Sequence, residues 1–224
     1  PFNMEYIYST YVLDLAENSG VKVINHPSAL RNFNEKVSIS LFPSLTPKTL
    51  VTSSFNEIKA FLDAEEKIVV KPLDGMGGKS VFVVEKNDLN AHSIFETITN
   101  LGATTIMAQV YVPEIKHGDK RIHIVYGEHC NTVLARIPHD KDNRGNLVMG
   151  ATGETQELSS GDQKICETIG PTLLENGIYF AGIDVIGDYL TEINITSPTG
   201  MREIKRNSGE DVSSFFFETL ESKK

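Results

Sequence analysis

The sequence contains no tryptophan and only two cysteines, Cys130 and Cys166, among its 224 residues. A chain of this length can bury a hydrophobic core without disulfide bonds. So few cysteines therefore indicate a reducing compartment, and we expect a cytoplasmic protein. Long apolar runs are absent as well, because stretches such as residues 68–70 and 178–181 fall far short of the roughly 20 residues that a membrane-spanning helix needs. No membrane segment is predicted.

Basic residues are scarce, since 21 lysines and arginines stand against 30 aspartates and glutamates and give a formal net charge of -9. Proteins that bind nucleic acids usually present a basic face to the phosphate backbone, so we expect no nucleic-acid partner. The histidines lack the spacing of metal ligands, and neither a CxxC nor an HExxH motif occurs. The sequence therefore does not predict a zinc site.

Helical and strand patterns alternate along the chain, which predicts an α+β or α/β fold. Apolar spacing predicts a helix over residues 4–18 and a short strand over residues 21–24, and together these look like the tail of a domain. A second helix is expected to begin at Ser28 and to run through Val37. Residues 162–176 are typical of a helix, in which Pro171 predicts a kink or a break.

A glycine-rich loop, Pro72-Leu73-Asp74-Gly75-Met76-Gly77-Gly78-Lys79-Ser80, joins two runs with strand character. It is not a P-loop, which needs glycine where Leu73 stands and opens a helix, and it is not a dinucleotide fingerprint, which needs glycine at Ser80. Backbone amides in such a loop can approach an anion closely, and Lys71 and Lys79 flank it, so the loop suits a polyphosphate. The alternative is a glycine-rich turn with solvated lysines.

A predicted hairpin near the carboxyl terminus carries polar side chains on one face. If its isoleucines and valines share a core, residue 183 pairs with residue 193, and the connection contains an odd number of residues. Asp184 then lies opposite Glu192, with Asn194 on the same face. Hard oxygen ligands of this kind suit Mg²⁺ shared with substrate phosphates, whereas the alternative is a solvent-facing polar stripe.

Three arginines are candidates for binding phosphate or carboxylate oxygens: Arg121 at the start of a strand, Arg136 at the end of the next, and Arg144 in a long polar segment. Each taken alone also fits an ordinary exposed ion pair. The polar segment, residues 138–153, has no hydrophobic periodicity, and we expect it to form a lid that closes over bound ligand.

Several motifs, taken in order, resemble bacterial glutathione synthetase, an ATP-grasp family. They are Asn34-Glu35-Lys36, Lys71 to Gly78, Gly118-Asp119-Lys120-Arg121, Leu134 to Pro138, Arg144-Gly145-Asn146, Ile183-Asp184, Thr191 to Asn194 and Thr196-Ser197-Pro198-Thr199. The resemblance covers nearly the whole chain. It implies an α+β ATP-grasp fold with two lobes clasping ATP, residues 28–112 and residues 113–224, after a remnant of an α/β N-terminal substrate domain at residues 1–27.

The resemblance also implies an activity. The family joins γ-glutamylcysteine to glycine through an acyl phosphate, using ATP and Mg²⁺, with Mn²⁺ as an alternative metal, and relatives form homo-oligomers. Arg121, Arg136 and Arg144 are implied as the catalytic clamps, and Asp184, Glu192 and Asn194 as the metal ligands. The peptide substrate would meet Asn146, Asn194, Ser197 and Thr199. The implied nucleotide-binding residues are Lys36, Lys71, Asp74, Gly75, Gly77, Gly78, Gln109, Tyr111, Val112 and Asp119.

Two other interpretations stay open. The two lysines and the acidic hairpin would serve any ATP-grasp ligase that joins a carboxylate to an amine. From a different class, the chain could be a nucleotide-binding fragment that catalyses no turnover. An activity assay with both substrates distinguishes these possibilities from glutathione synthesis.

Overall fold

A computed structural model of the chain describes residues 2–75, 77–137 and 152–223. Within these residues the α-helices are α1 (Met4–Asn18), α2 (Pro27–Asn32), α3 (Phe55–Glu65), α4 (Ala91–Ile98), α5 (Ser160–Glu175), α6 (Met201–Ser208) and α7 (Val212–Ser222). The strands are β1 (Thr49–Thr52), β2 (Lys67–Pro72), β3 (Phe82–Glu85), β4 (Ile106–Val110), β5 (Asp119–Val125), β6 (Glu128–His129), β7 (Thr132–Ile137), β8 (Thr152–Glu157), β9 (Phe180–Ile186) and β10 (Tyr189–Asn194). Short 3₁₀ helices span Val37–Leu41 and Pro113–His117.

The first sheet is antiparallel, with the strand order β1-β4-β2-β3. Alternate residues of β2 point to one face, where Ile68 and Val70 are fully buried against Ile58 of α3 and Phe95 of α4. The side chain of Ser54 caps α3 by accepting a hydrogen bond from the Glu57 amide at 3.4 Å. This packing fixes the two strands that carry the glycine-rich loop.

The second sheet has the order β10-β9-β5-β7-β8, with β6 paired to β5. Its even-numbered β5 residues, Ile122 and Ile124, lie in a core with α5. The opposite face is divided along its length, because α6 and α7 cover an apolar end around Val125 while the other end carries charged residues. The odd-numbered side chains Asp119 and Arg121 lie at this charged end, next to the part of the face that α6 and α7 cover.

The predicted α+β class is confirmed, since both sheets are antiparallel and helices pack against them. The helix predicted over residues 4–18 is α1. Among the described residues, no helix is long and apolar enough to cross a membrane. The lobe boundaries proposed from the sequence remain a prediction.

Two predictions about the amino-terminal part are wrong. Residues 21–24 form no strand, because no neighbouring strand of the described chain pairs with them and Val21 is exposed. The helix expected from Ser28 to Val37 ends at Asn32, and its amino-terminal cap is His26. Asn34 explains the break, since its side-chain oxygen accepts hydrogen bonds from two amides, those of residues 36 and 37, and starts a separate turn.

The parity predicted for the hairpin connection is wrong, and so is the break, though not the alternative of a kink, predicted at Pro171. The hairpin connection between β9 and β10 holds two residues, an even number, and a β-bulge between Leu190 and Glu192 restores the predicted pairing. Pro171 does not break α5, which continues as one helix. Pro171 lies on the exposed face, so the carbonyl that loses its partner, on Glu167, is on the solvent side.

Candidate active site

The two sheets face each other across a cleft with a volume of about 370 Å³. Residues from both contribute to its walls, and almost every described residue predicted for the site lines it. These are Lys36, Lys71, Gly75, Gly77, Gly78, Gln109, Tyr111, Val112, Asp119, Arg121, Arg136, Asp184, Glu192, Asn194, Ser197 and Thr199. Asp74 is the exception and lies in the wall of an adjoining cavity of about 190 Å³.

Two buried lysines project into the cleft: Lys71 from β2 of the first sheet, and Lys36 from the turn whose Glu35 carbonyl accepts a hydrogen bond from the Ile193 amide of β10 at 2.8 Å. Their side chains are 8% and 4% exposed. The Asn34 turn places Lys36, whose Nζ donates to the Gly75 carbonyl at 2.8 Å and pairs with the carboxylate of Glu35. Burial lowers the pKa of Lys71. Burial would also lower the pKa of Lys36, but the carboxylates of Glu192 and Glu35 outweigh it and raise that pKa.

The glycine-rich loop closes the β2–β3 hairpin, as predicted, and brings its backbone next to the lysines. A Cβ atom at Gly75 would lie 2.7 Å from the ring of Pro72. Gly77 and Gly78 adopt φ of 70° and 71°, a region that favours glycine. The side-chain amide of Asn34 donates to the Leu73 carbonyl at 3.0 Å. The backbone of the glycine-rich loop, which the Asn34 side chain holds in place, therefore fits an anionic ligand with several oxygens.

The charged end of the second sheet is built from cross-strand pairs. Arg121 of β5 lies opposite Asp184 of β9 and donates to its carboxylate with Nε at 2.6 Å and Nη2 at 3.1 Å. Arg136 of β7 lies opposite Asp119 and donates to it at 2.6 Å, and its Nη2 is also 2.9 Å from Asp184. The four side chains thus form one buried network, which orients both guanidinium groups.

The pKa values of the two aspartates move in opposite directions. Burial would raise the pKa of Asp184, but the guanidinium groups of Arg121 and Arg136 outweigh it and hold that pKa well below its usual range. For Asp119, burial dominates over the attraction of Arg136 and raises the pKa to about 7. Within the described chain, Oδ1 of Asp119 is buried without a hydrogen-bond partner. The network therefore contains one firmly ionised carboxylate and one that titrates near neutral pH.

The acidic hairpin has the predicted cross-strand pairing, with Glu192 opposite Asp184 and Ile193 opposite Ile183. Oε1 of Glu192 lies 3.7 Å from Nζ of Lys36 and 3.8 Å from Nζ of Lys71. The amide of Asn194 is 3.4 Å from Oδ2 of Asp184. The hairpin therefore supplies two carboxylates and one amide oxygen on a single face, a donor set that fits a hard divalent cation.

No group of three or more His, Cys, Asp or Glu side chains in the described ranges is arranged to hold a metal ion. The predicted ligand set, two carboxylates and one amide, is not a group of that kind. The assignment of Asp184, Glu192 and Asn194 as metal ligands stays a prediction.

Sequence reasoning missed two side chains that shape the site. Glu35 lines both cavities, and burial, followed by the charge of Glu192, raises the pKa of its carboxyl. Lys120 pairs with the buried carboxylate of Asp162 and donates to the Gly187 carbonyl at 2.8 Å, which ties the hairpin turn to α5. The sequence could have indicated Glu35, because it adjoins the predicted site residue Lys36. The Lys120 contacts could not be predicted, because they depend on which elements pack next to β5.

The remaining predictions concern residues outside the site or outside the described chain. Arg144, Asn146 and the lid predicted over residues 138–153 fall outside the described residues, except that Thr152 and Gly153 begin β8. Cys130 and Cys166 are free and buried. Burial raises the pKa of each thiol to about 12, so neither is an activated nucleophile.

Solved structures with the same architecture identify the class. The D-cycloserine synthetase DcsG matches with a TM-score of 0.75 at 15% identity, covering 98% of this chain and 78% of that one. The D-alanine–D-alanine ligase of Bacillus anthracis matches with a TM-score of 0.61 at 17% identity, covering 93% and 73%. Identities this low establish the fold alone, and the fold is ATP-grasp.

Sequence comparisons narrow the class to a family. The ATP-grasp domain of prokaryotic glutathione synthetase matches residues 35–209, and its N-terminal domain matches residues 1–31. The glutathione synthetase of Coxiella burnetii is 49% identical over 223 residues, covering 100% of this chain and 70% of the relative. That of Neisseria meningitidis is 50% identical over 220 residues, covering 98% and 69%. The chain belongs to the prokaryotic glutathione synthetase family, whose members are ATP-dependent ligases.

Proposed function

We propose that this chain forms the nucleotide site and the phosphoryl-transfer site of a ligase that joins γ-glutamylcysteine to glycine, giving glutathione, ADP and phosphate. The observation that carries the proposal is the shared cleft. It places two buried lysines and a glycine cradle opposite two arginines and an acidic hairpin. Membership of the glutathione synthetase family supports the choice of substrates.

In the proposed reaction the cysteinyl carboxylate attacks the γ-phosphorus of ATP, the bond to the β-phosphate oxygen breaks, and ADP leaves. Lys36 and Lys71 bind phosphate oxygens and offset the charge on the transferring group. The glycine-rich loop directs backbone amides at the same oxygens. Gln109, Tyr111 and Val112 would border the adenine, because they lie where the chain leaves the first sheet.

In the second step the amine of glycine attacks the acyl carbon, loses a proton and displaces phosphate. Negative charge develops on the acyl oxygen, and Arg121 and Arg136 are held ready to stabilise it because Asp184 and Asp119 fix their orientation. Since these groups are oriented before the reaction, little reorganisation is needed in the transition state. Ser197 and Thr199 would contact the peptide.

A divalent cation, Mg²⁺ with Mn²⁺ as the alternative, would be held by Asp184, Glu192 and Asn194, and when bound it would neutralise phosphate charge. The two lysines near Glu192 support this assignment, because phosphates bound by the lysines would meet the acidic face. The free cysteines support a reducing, cytoplasmic location. Exposed apolar side chains on α1, including Tyr8 and Leu15, support a homo-oligomer, which light scattering would detect.

The decisive test is ADP release measured with each substrate combination, followed by mass spectrometry of the product. We expect release only when ATP, Mg²⁺, γ-glutamylcysteine and glycine are all present, with glutathione as the product. Turnover with a different carboxylate and amine but none with these two would assign the chain to another ATP-grasp ligase. Binding of an ATP analogue without any turnover would identify a nucleotide-binding fragment.

A further inference from the structure

One hydrogen bond links α1 to the loop that follows the acidic hairpin. The hydroxyl of Tyr6 lies 2.7 Å from Oγ1 of Thr196, although 190 residues separate the two in sequence. The same hydroxyl donates to the carbonyl of Leu30 at 3.2 Å. The Tyr6 ring is fixed, because it packs against the main core and contacts Phe2 with ring centroids 5.2 Å apart.

The number of hydrogens available indicates which of the two hydroxyl groups donates. A tyrosine hydroxyl has a single hydrogen, and that of Tyr6 goes to the Leu30 carbonyl. Because the Leu30 carbonyl can only accept, the arrangement that satisfies both contacts has Thr196 donating to Tyr6. That arrangement commits the only hydrogen of the threonine hydroxyl. The lone pairs of Oγ1 are left to accept from the cavities that Thr196 lines. The group that complements Thr196 is an N–H donor.

The loop that begins at Thr196 is an unusual one. Ser197 has φ of 50°, a left-handed conformation that non-glycine residues seldom adopt unless surrounding contacts hold it. Those contacts lie at both ends of the loop. Arg121 donates to the Thr199 carbonyl at 3.1 Å, Asn25 donates to the Ile195 carbonyl at 2.8 Å, and Tyr6 holds Thr196. The Tyr6 contact is the one in which both partners line the smaller cavity.

We propose that Tyr6 is a positioning residue for the peptide substrate: it orients the Thr196 hydroxyl as an acceptor for an amide or ammonium N–H of γ-glutamylcysteine. The inference rests on the proposed function. The smaller cavity supports it, since Glu35 and Asp74 contribute carboxylates while no lysine or arginine of the described chain lines it. Such a wall favours a ligand group that carries hydrogens and positive charge.

The test compares Tyr6→Phe with Ser9→Ala, which removes a hydroxyl from the same helix where it bonds only within that helix. We expect Tyr6→Phe to raise the KM for γ-glutamylcysteine about five- to tenfold, the effect of one hydrogen bond. The kcat, the affinity for an ATP analogue and the melting temperature should stay close to those of the parent. Ser9→Ala should leave all four quantities unchanged.

Variants at Thr196 check that the effect passes through its hydroxyl. Thr196→Ser should behave as the parent, Thr196→Val should reproduce the rise in KM, and the double variant Tyr6→Phe with Thr196→Val should be no worse than Thr196→Val alone. Additive effects would overturn the proposal, as would a Tyr6→Phe variant with unchanged KM or with equal losses for peptide and ATP. A parent protein inactive with γ-glutamylcysteine would instead refute the proposed function.

Discussion

The two carboxylates of the acidic hairpin are paired in different ways. In the second sheet, Asp184 accepts hydrogen bonds from Arg121 and Arg136 at 2.6–3.1 Å across neighbouring strands. Glu192 of the same sheet lies 3.7 Å from Lys36, in the turn that packs on β10, and 3.8 Å from Lys71 of β2. Lys36 is also held by Glu35 and by the Gly75 carbonyl. The short bonds between strands of the second sheet form a rigid anchor, whereas the longer contacts of Glu192 leave this carboxylate and Lys71 available to a ligand.

This difference gives the carboxylates of one hairpin separate tasks. Asp184 is 7% exposed and bound to two arginines, and Glu192 is 24% exposed and faces the lysines. We expect substitution of Asp184 to damage both the fold and the chemistry, and substitution of Glu192 to damage mainly the chemistry.

The largest expected effect is that of Glu192→Gln. The amide keeps the shape of the side chain but removes the charge that would hold a cation beside the phosphates, so kcat should fall about 1,000-fold. Unfolding by urea should be nearly unchanged. Glu218→Gln, on the exposed face of α7, serves as the control. A loss of tenfold or less would show that Glu192 does not hold the ion.

Asp184→Asn should reduce stability in addition to activity. It leaves Arg121 buried without its partner, and breaking a buried ion pair costs roughly 3 kcal/mol of unfolding free energy. Urea unfolding measures the change. The control is Asp211→Asn at the exposed pair with Lys205, where asparagine also preserves the helix cap and little change is expected. Equal, small losses in both variants would contradict the idea of a rigid anchor.

A smaller effect is expected for Lys71→Met, which keeps the length of the side chain and removes its charge. The variant should bind an ATP analogue about 30-fold more weakly, equivalent to ~2 kcal/mol for a hydrogen bond to a charged group. Isothermal calorimetry gives the affinity, with Lys59→Met on the exposed side of α3 as the control. Unchanged affinity would show that the cleft binds phosphate without this lysine.

The sequence predicted the acidic hairpin better than the path of the chain through it. Alternation of isoleucine and valine was enough to place Asp184 opposite Glu192. It could not reveal the bulge at Thr191, because a two-residue turn with one extra strand residue and an odd-numbered connection produce the same pairing of side chains. The alternation records which side chains share a face and says little about how the chain turns.

Contacts between distant strands lay beyond the sequence. Arg121 was identified as an arginine that binds an anion, but its actual partner in the chain, Asp184, lies 63 residues away and becomes a neighbour only because β5 pairs with β9. The Tyr6 contact with Thr196 is equally remote. Similarly, the predicted strand at residues 21–24 had a suitable composition, but no strand among the described residues pairs with it. Local patterns do not specify such partners.

A further prediction concerns pH dependence and Asp119, the carboxylate of the anchor whose pKa is raised. Asp119 has a pKa raised to about 7, chiefly by burial, so the native state holds a proton that the unfolded chain releases near pH 4. A raised pKa of this kind contributes stability that is complete below the unfolded value and is lost as pH rises through the folded value. The stability of the parent relative to Asp119→Asn, which does not titrate, should therefore fall between about pH 4 and pH 7 and stay level above that range. Urea unfolding of both proteins at several pH values measures the difference directly.

Arg136 provides the opposing influence, because it donates to the Asp119 carboxylate at 2.6 Å and favours the ionised form. If the difference between the two proteins were the same at every pH, Arg136 would be keeping Asp119 ionised throughout. In that case the anchor would be fully ionised, and its contrast with the loosely paired Glu192 would be sharper than the burial of Asp119 suggests.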